Sequence, residues 1–172
     1  SVTTECIYRM MLKDIDIYSA IFDLIDNSIN AAEKNGEIKK CIIDMQLSTE
    51  KFLIKDNCGG ILRKDIDKVL SIGNEEKDKE GFGVGMKRAI IKIGKKAEIV
   101  SINNDRNFKV SFDLSIWRDG YKWTIEKINN RKKYLKGLII TIWNLNDELR
   151  KNNDVDNVCW KLKDATSRRY KE

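Results

Sequence analysis

The stretch Ala20-Ile21-Phe22-Asp23-Leu24-Ile25-Asp26-Asn27-Ser28-Ile29-Asn30-Ala31-Ala32 carries two regular stripes at once. Tyr18, Ile21, Phe22, Ile25, Ile29 and Ala32 recur at the three- and four-residue spacing of one helix face, which predicts an amphipathic helix over 15–33. Asn35-Gly36 ends it. Asp23, Asp26, Asn27 and Asn30 repeat with the same period, so Asp23 and Asn27 share a face one turn apart, with roughly 5–6 Å between their Cβ atoms. Taken by itself, this polar stripe reads as a solvated face or as a working one. Asp and Asn are weak helix formers, and a solvated face more commonly uses Glu and Lys.

Two β-rich runs follow, 41–47 and 51–55, joined by Ser48-Thr49-Glu50 as a hairpin. Directly after the second comes Asp56-Asn57-Cys58-Gly59-Gly60, a turn that holds a carboxylate at a strand end beside glycines that let a flat ligand approach the backbone. Residues 64–72 fit a second helix with Ile66, Val69 and Leu70 inward. The polar run from Gly73 to Glu80 has no period and leads into Gly81-Phe82-Gly83-Val84-Gly85, which opens a third helix from Val84 to Ile93, closed by Gly94. The free amides and dipole of such a helix start offer an anion site, to which Lys87 and Arg88 add charge. The loop is neither a Walker A sequence nor the dinucleotide fingerprint, which follows a strand. Alternating runs at 97–102, 108–114, 123–128 and 137–143 predict a mostly antiparallel sheet, and 155–170 reads as a last helix.

In this order, the three polar segments resemble the GHKL ATPase superfamily: gyrase B, MutL, the large heat-shock chaperone, the MORC proteins and histidine-kinase catalytic domains. The resemblance covers about 15–143. Residues 20–32 look like the N box, 56–60 like the D-x-G-x-G box, 81–87 like the second glycine box and Gly137-Leu138-Ile139-Ile140-Thr141 like the closing G-T strand. The wording of the N box and of 81–90 is closest to MORC-like and chaperone-like bacterial ATPases. The implied fold is α+β, a two-layer α/β sandwich of the Bergerat type, with a mixed, mainly antiparallel sheet, helices on one face and ATP between. Helix, hairpin, helix, loop, helix and strands in succession agree with it independently.

The resemblance also implies roles. Asn27 would hold Mg²⁺ through its amide oxygen, which suits a hard cation. Asp56 would accept the adenine amino group, Gly60 would admit the base, and the amides near Gly83 and Gly85 would hold the β and γ phosphates. Lys77, Gly81, Phe82, Val84, Met86 and Lys87 complete the expected nucleotide contacts, with 73–82 as an ATP lid. Three positions depart from the pattern. Asp23 stands where hydrolysing members carry Glu, one methylene shorter, so the general base acts from further away or through a second water, and turnover is slow. Cys58 replaces the first glycine of D-x-G-x-G. Leu138 replaces the usual Thr, removing a hydroxyl near adenine, a loss of about 1 kcal/mol.

Composition narrows the alternatives. The 172 residues include no His, which excludes Ser-His-Asp and Cys-His catalysis, imidazole-bound zinc and phosphoryl transfer to a histidine of the chain itself. Cys6, Cys41, Cys58 and Cys159 form no C-x-x-C pair, so free thiols in a cytoplasm are expected. No apolar run approaches the ~18 residues of a membrane helix, and the first residues lack a basic start and an apolar h-region. The net charge of +6 fits a solvated surface or a nucleic-acid partner. The expectation is a cytoplasmic single domain over 1–172, the N-terminal part of a longer protein, that binds ATP, hydrolyses it slowly, and uses its lid to drive homodimerisation or clamp closure. The alternatives are a histidine-kinase-like domain, disfavoured by the carboxylate at Asp23, and a non-catalytic nucleotide-sensing or nucleic-acid-binding module.

Overall fold

The computed structural model describes residues 13, 15–36, 38–62, 65, 84–103, 107–113, 124–128, 136–150 and 163–164. Helix α1 (Ile17–Lys34) starts at Asp16, whose carboxylate accepts the amides of Tyr18 at 2.9 Å and Ser19 at 3.0 Å and the Ser19 hydroxyl at 2.7 Å. These bonds satisfy donors that a first helical turn leaves over. They hold the Asp16 carboxyl below its usual range, with the Ser19 amide contributing most. The helix ends at Asn35, as the Asn-Gly pair predicts.

A 3-10 turn (Ile38–Lys40) leads into the hairpin of β1 (Ile43–Leu47) and β2 (Lys51–Asp56). Helix α2 (Val84–Ile93) precedes the strands β3 (Gly94–Ile102), β4 (Phe108–Asp113), β5 (Thr124–Lys127) and β6 (Gly137–Leu145), and a single-turn helix α3 (Asp147–Arg150) follows. The sheet order is β1-β2-β6-β3-β4-β5, and every described pairing is antiparallel, where the expectation allowed a mixture. The last described strand in sequence therefore lies at the centre, between β2 and β3.

Strand alternation separates two faces. Phe52, Ile54, Ala97, Ile99, Phe108, Val110, Phe112, Leu138, Ile140 and Ile142 are buried on one side, where α1 contributes Ala20, Ile21, Leu24 and Ile25 and α2 contributes Met86, Ala89, Ile90 and Ile93. This is the expected sandwich of helices on one sheet face. On the other face Lys109 lies between Glu126, at 3.2 Å, and Glu98, at 3.6 Å. No helix among the described residues is long and apolar enough to cross a membrane.

Two details differ from the sequence expectation. Gly94 does not close α2 through a turn; it is already the first residue of β3. A Cβ there would lie 2.6 Å from the Trp143 carbonyl oxygen and 2.7 Å from Ile142 Cγ2, so the glycine answers to β6 pressing against it. The helix's last carbonyls are met from beyond β6, by the Asn146 amide on Ile93 at 3.0 Å and the Asn146 side chain on Lys92. Helix α3, which buries Leu149 and pairs Arg150 with Asp147 at 3.0 Å, has no clear signal in the sequence. The expected helices at 64–72 and 155–170 lie outside the described residues, apart from Asp65 and 163–164.

Candidate functional site

Alternation along β2 carries Asp56 onto the same face as Phe52 and Ile54, so a carboxylate enters the interior at 7% exposure. A buried carboxylate needs donors, and this one has three. Its Oδ1 accepts the amides of Cys58 at 2.9 Å and Leu138 at 3.1 Å, and its Oδ2 accepts the Ser28 hydroxyl at 2.6 Å. Leu138 stands opposite because it is one step past the last β2–β6 pair, Lys55 with Ile139. The side-chain substitution at 138 thus leaves this backbone donor intact.

The rest of the turn is fastened from several elements. Asn57 donates to the Lys40 carbonyl at 2.9 Å and accepts the Ile42 amide at 2.6 Å, and Asn35 at the end of α1 donates to the Cys58 carbonyl at 3.0 Å. Beyond the glycines, the Ile61 amide donates to Ser101 Oγ at 2.8 Å, and Asn103 donates to the Ile61 carbonyl. Gly60 has φ +70, a left-handed backbone, and an added Cβ would meet the Ile102 carbonyl at 2.8 Å. At Gly137 a Cβ would lie 1.9 Å from the Asp56 carbonyl oxygen, so β6 reaches the turn only through a glycine.

Between this turn and the helices is a cavity of about 20 Å³, lined by Asn27, Ser28, Ala31, Asp56, Gly60, Ile61, Met86 and Leu138. It has room for about one water. Asn27 is half-buried, and its side-chain nitrogen is buried with no hydrogen-bond partner among the described residues. An amide left in that state costs about 1–3 kcal/mol, and it fits a site completed by a polar ligand. The cavity brings together Asn27, Asp56, Gly60 and Met86 of the expected site. Asp23 is half-buried on α1, one turn before Asn27, and does not line the cavity. Gly85, in the first turn of α2, has open space where a Cβ would stand. Lys87 is 1% exposed, and Val84 begins α2. Lys77, Gly81, Phe82 and Gly83, with the proposed lid over 73–82, lie outside the described residues.

The sequence reading assigned no role to Ser28. Its signal was a hydroxyl at an apolar position, four residues after buried Leu24 and four before buried Ala32. The expectation of free thiols is corrected for two cysteines: Cys41 and Cys58, with Cα atoms 5.3 Å apart, are joined as a disulfide. Linear spacing hides the pair. The register shows it, because Ile43 pairs with Asp56 and two further steps bring Cys41 opposite Cys58.

A family model described as histidine kinase-, DNA gyrase B- and HSP90-like ATPase matches residues 15–148. The match takes in α1, the Asp56 turn, α2 and all six strands. A search of curated proteins returned no match.

Proposed function

Because the chain belongs to the family of histidine kinase-, DNA gyrase B- and HSP90-like ATPases, we propose that it binds ATP with Mg²⁺ against the Asp56 turn and hydrolyses it slowly. The observation that carries this reading is the hydrogen-bonding state of Asp56. An ionised carboxylate has about four acceptor positions; three are taken, by Cys58, Leu138 and Ser28, and the group still borders a cavity. The remaining capacity suits an N–H donor such as the adenine amino group, with Gly60 beside Asp56 in the cavity lining. Asn27, whose buried nitrogen has no partner among the described residues, is the group we assign to Mg²⁺ through its amide oxygen.

Bound Mg²⁺ supplies charge neutralisation on the triphosphate. The protein's share falls to three groups. The amides that open α2 near Gly83 and Gly85 would hold the phosphates, with Lys77, Gly81, Phe82, Val84 and Lys87 near them. Asp23, one turn from Asn27, would orient and deprotonate the attacking water, and its short side chain is the reason for slow turnover. A nucleotide-ordered lid over 73–82 would then drive homodimerisation or clamp closure. The net charge of +6 suits nucleic acid as a further partner, and a cytoplasmic location goes with this reading. Asp23 separates this reading from a histidine-kinase-like transfer domain.

The test is thermal stability with and without MgATP. A ligand at 100 times its Kd stabilises by about 2.7 kcal/mol. The parent should show that gain and Asp56→Ala should lose it; equal gains in both would mean that the adenine assignment is wrong.

A further inference from the structure

We propose that Cys41 and Cys58 are a reversible thiol–disulfide pair that sets nucleotide affinity by fastening or releasing the Asp56 turn. The proposal rests on the ATP-binding reading of that turn.

Three observations carry it. The cross-link extends the β1–β2 register by two steps, from Ile43 opposite Asp56 to Cys41 opposite Cys58, so it staples the open end of a hairpin at the edge of the sheet. Strand β1 has β2 as its only described neighbour. Next, Cys58 is attached to the site at both backbone groups: its amide donates to Asp56 Oδ1 at 2.9 Å, and its carbonyl accepts from Asn35 at 3.0 Å. A shift of Cys58 is a shift of the carboxylate's own donor. Finally, the two sulfurs are unequally placed. Cys58 is 1% exposed, whereas Cys41 is part-exposed and lies between the exposed residues Lys40 and Ile42. A small-molecule thiol therefore reaches Cys41 first.

Reduction then has a defined course. A thiolate attacks Cys41 Sγ, the protein S–S bond breaks, and Cys58 Sγ leaves as a thiolate that takes a proton from water. A second thiol attacks the mixed disulfide on Cys41, releasing the Cys41 thiol and a small-molecule disulfide. Two thiols are oxidised for each protein disulfide reduced, and a low-molecular-weight disulfide drives the reverse course. Disulfides are rare in reducing compartments unless they exchange in this way. Without the staple, the described bonds between the two segments beyond the Ile43–Asp56 pair are those of Asn57 with Lys40 and Ile42. A turn competent about one-tenth of the time lowers apparent affinity about tenfold.

The experiment uses the whole chain with Cys6→Ser and Cys159→Ser, so that one pairing is possible. Binding of a non-hydrolysable ATP analogue with Mg²⁺ is measured by calorimetry after oxidation with glutathione disulfide and again after reduction by a phosphine. The cross-link is read as a mass loss of two hydrogens. The oxidised chain should bind about tenfold more tightly, the change should reverse with the reagents, and adding Cys41→Ser should fix the lower affinity under both. Equal affinity in the cross-linked and reduced chains would overturn the switch and leave the ATP reading standing. No binding in either state would overturn the ATP reading and the switch with it. Failure of the oxidised chain to lose two hydrogens would overturn the switch alone.

Discussion

The turn that carries Asp56 and the helix face that carries Asn27, with Asp23 one turn before it, are built on opposite plans. Asp56 is held by donors from α1, from its own turn and from β6, and the turn is tied in addition to Asn35, Lys40, Ile42, Ser101 and Asn103. The positions of Asp23 and Asn27 follow from the period of a single helix. One region is specified by contacts between distant residues, and the other by local geometry. Damage to the first should therefore reach the fold, whereas damage to the second should stay within ligand binding and chemistry.

The largest separation is expected at Asp23. Asp23→Asn should leave nucleotide affinity unchanged and lower single-turnover hydrolysis by ~10²–10⁴-fold, about 3–5 kcal/mol in barrier. A parent-like rate would reduce the helix face to a binding role, and a faster Asp23→Glu would show that side-chain length limits the site. Gly137→Ala tests the other plan. Its Cβ would fall 1.9 Å from the Asp56 carbonyl oxygen, with backbone on both sides of the clash. We expect a loss of about 3 kcal/mol in urea unfolding together with loss of ATP binding. An unchanged midpoint would show that the turn yields more easily than its hydrogen bonds suggest.

Asn27→Ala sharpens the contrast, because it should weaken the complex and not the free protein. Removing a buried nitrogen that has no partner among the described residues should leave ligand-free stability equal or raised by about 1 kcal/mol. The gain of about 2.7 kcal/mol from MgATP should disappear. A large loss of ligand-free stability would mean that the amide has a structural task.

The smallest effect is expected at the start of the same helix. The folded Asp16 carboxyl titrates below the usual aspartate range, chiefly because of the Ser19 amide. Its stabilisation is thus fully present above the unfolded value and is lost as pH falls through the lower folded one. Asp16→Asn keeps a capping oxygen, so stability at pH 7 should change by less than about 1 kcal/mol, while the loss between pH 4 and pH 2 should be smaller than in the parent. Equal acid sensitivity of the two, in urea midpoints across that range, would remove the charge from the cap.

What the sequence makes legible follows the same division. The polar stripe of α1, its end at Asn35, the hairpin and the extent of α2 rest on periods of 3.6 and 2 and on nearby turn residues, and they stand where the pattern puts them. The partners of Asp56 do not follow from any period. Leu138 reads as the loss of a family hydroxyl, yet its amide is a donor to the site because of strand register. Cys41 and Cys58 read as unrelated thiols until Ile43 is known to face Asp56. Asn146 lies outside every element expected from the sequence, although it caps a helix that ended more than fifty positions earlier. In each case the deciding contact joins segments whose separation in sequence carries no signal.

The central place of β6 gives the chain a schedule. Among the described residues the hairpin β1–β2 and the meander β3–β4–β5 have no backbone ladder between them; both pair with β6, the last of the described strands to be made. During synthesis, when chains emerge at about 5–20 residues per second, two half-sheets must wait with unpaired edges until residues 137–145 arrive. Such long-range pairing is intrinsically slow. The same strand delivers the Leu138 amide to Asp56 and the Gly137 backbone to its carbonyl. A nascent chain can form its helices and hairpins early, but the Asp56 carboxylate acquires the Leu138 amide as a donor only when the sheet closes, so the buried charge is among the last groups of the fold to be fully satisfied.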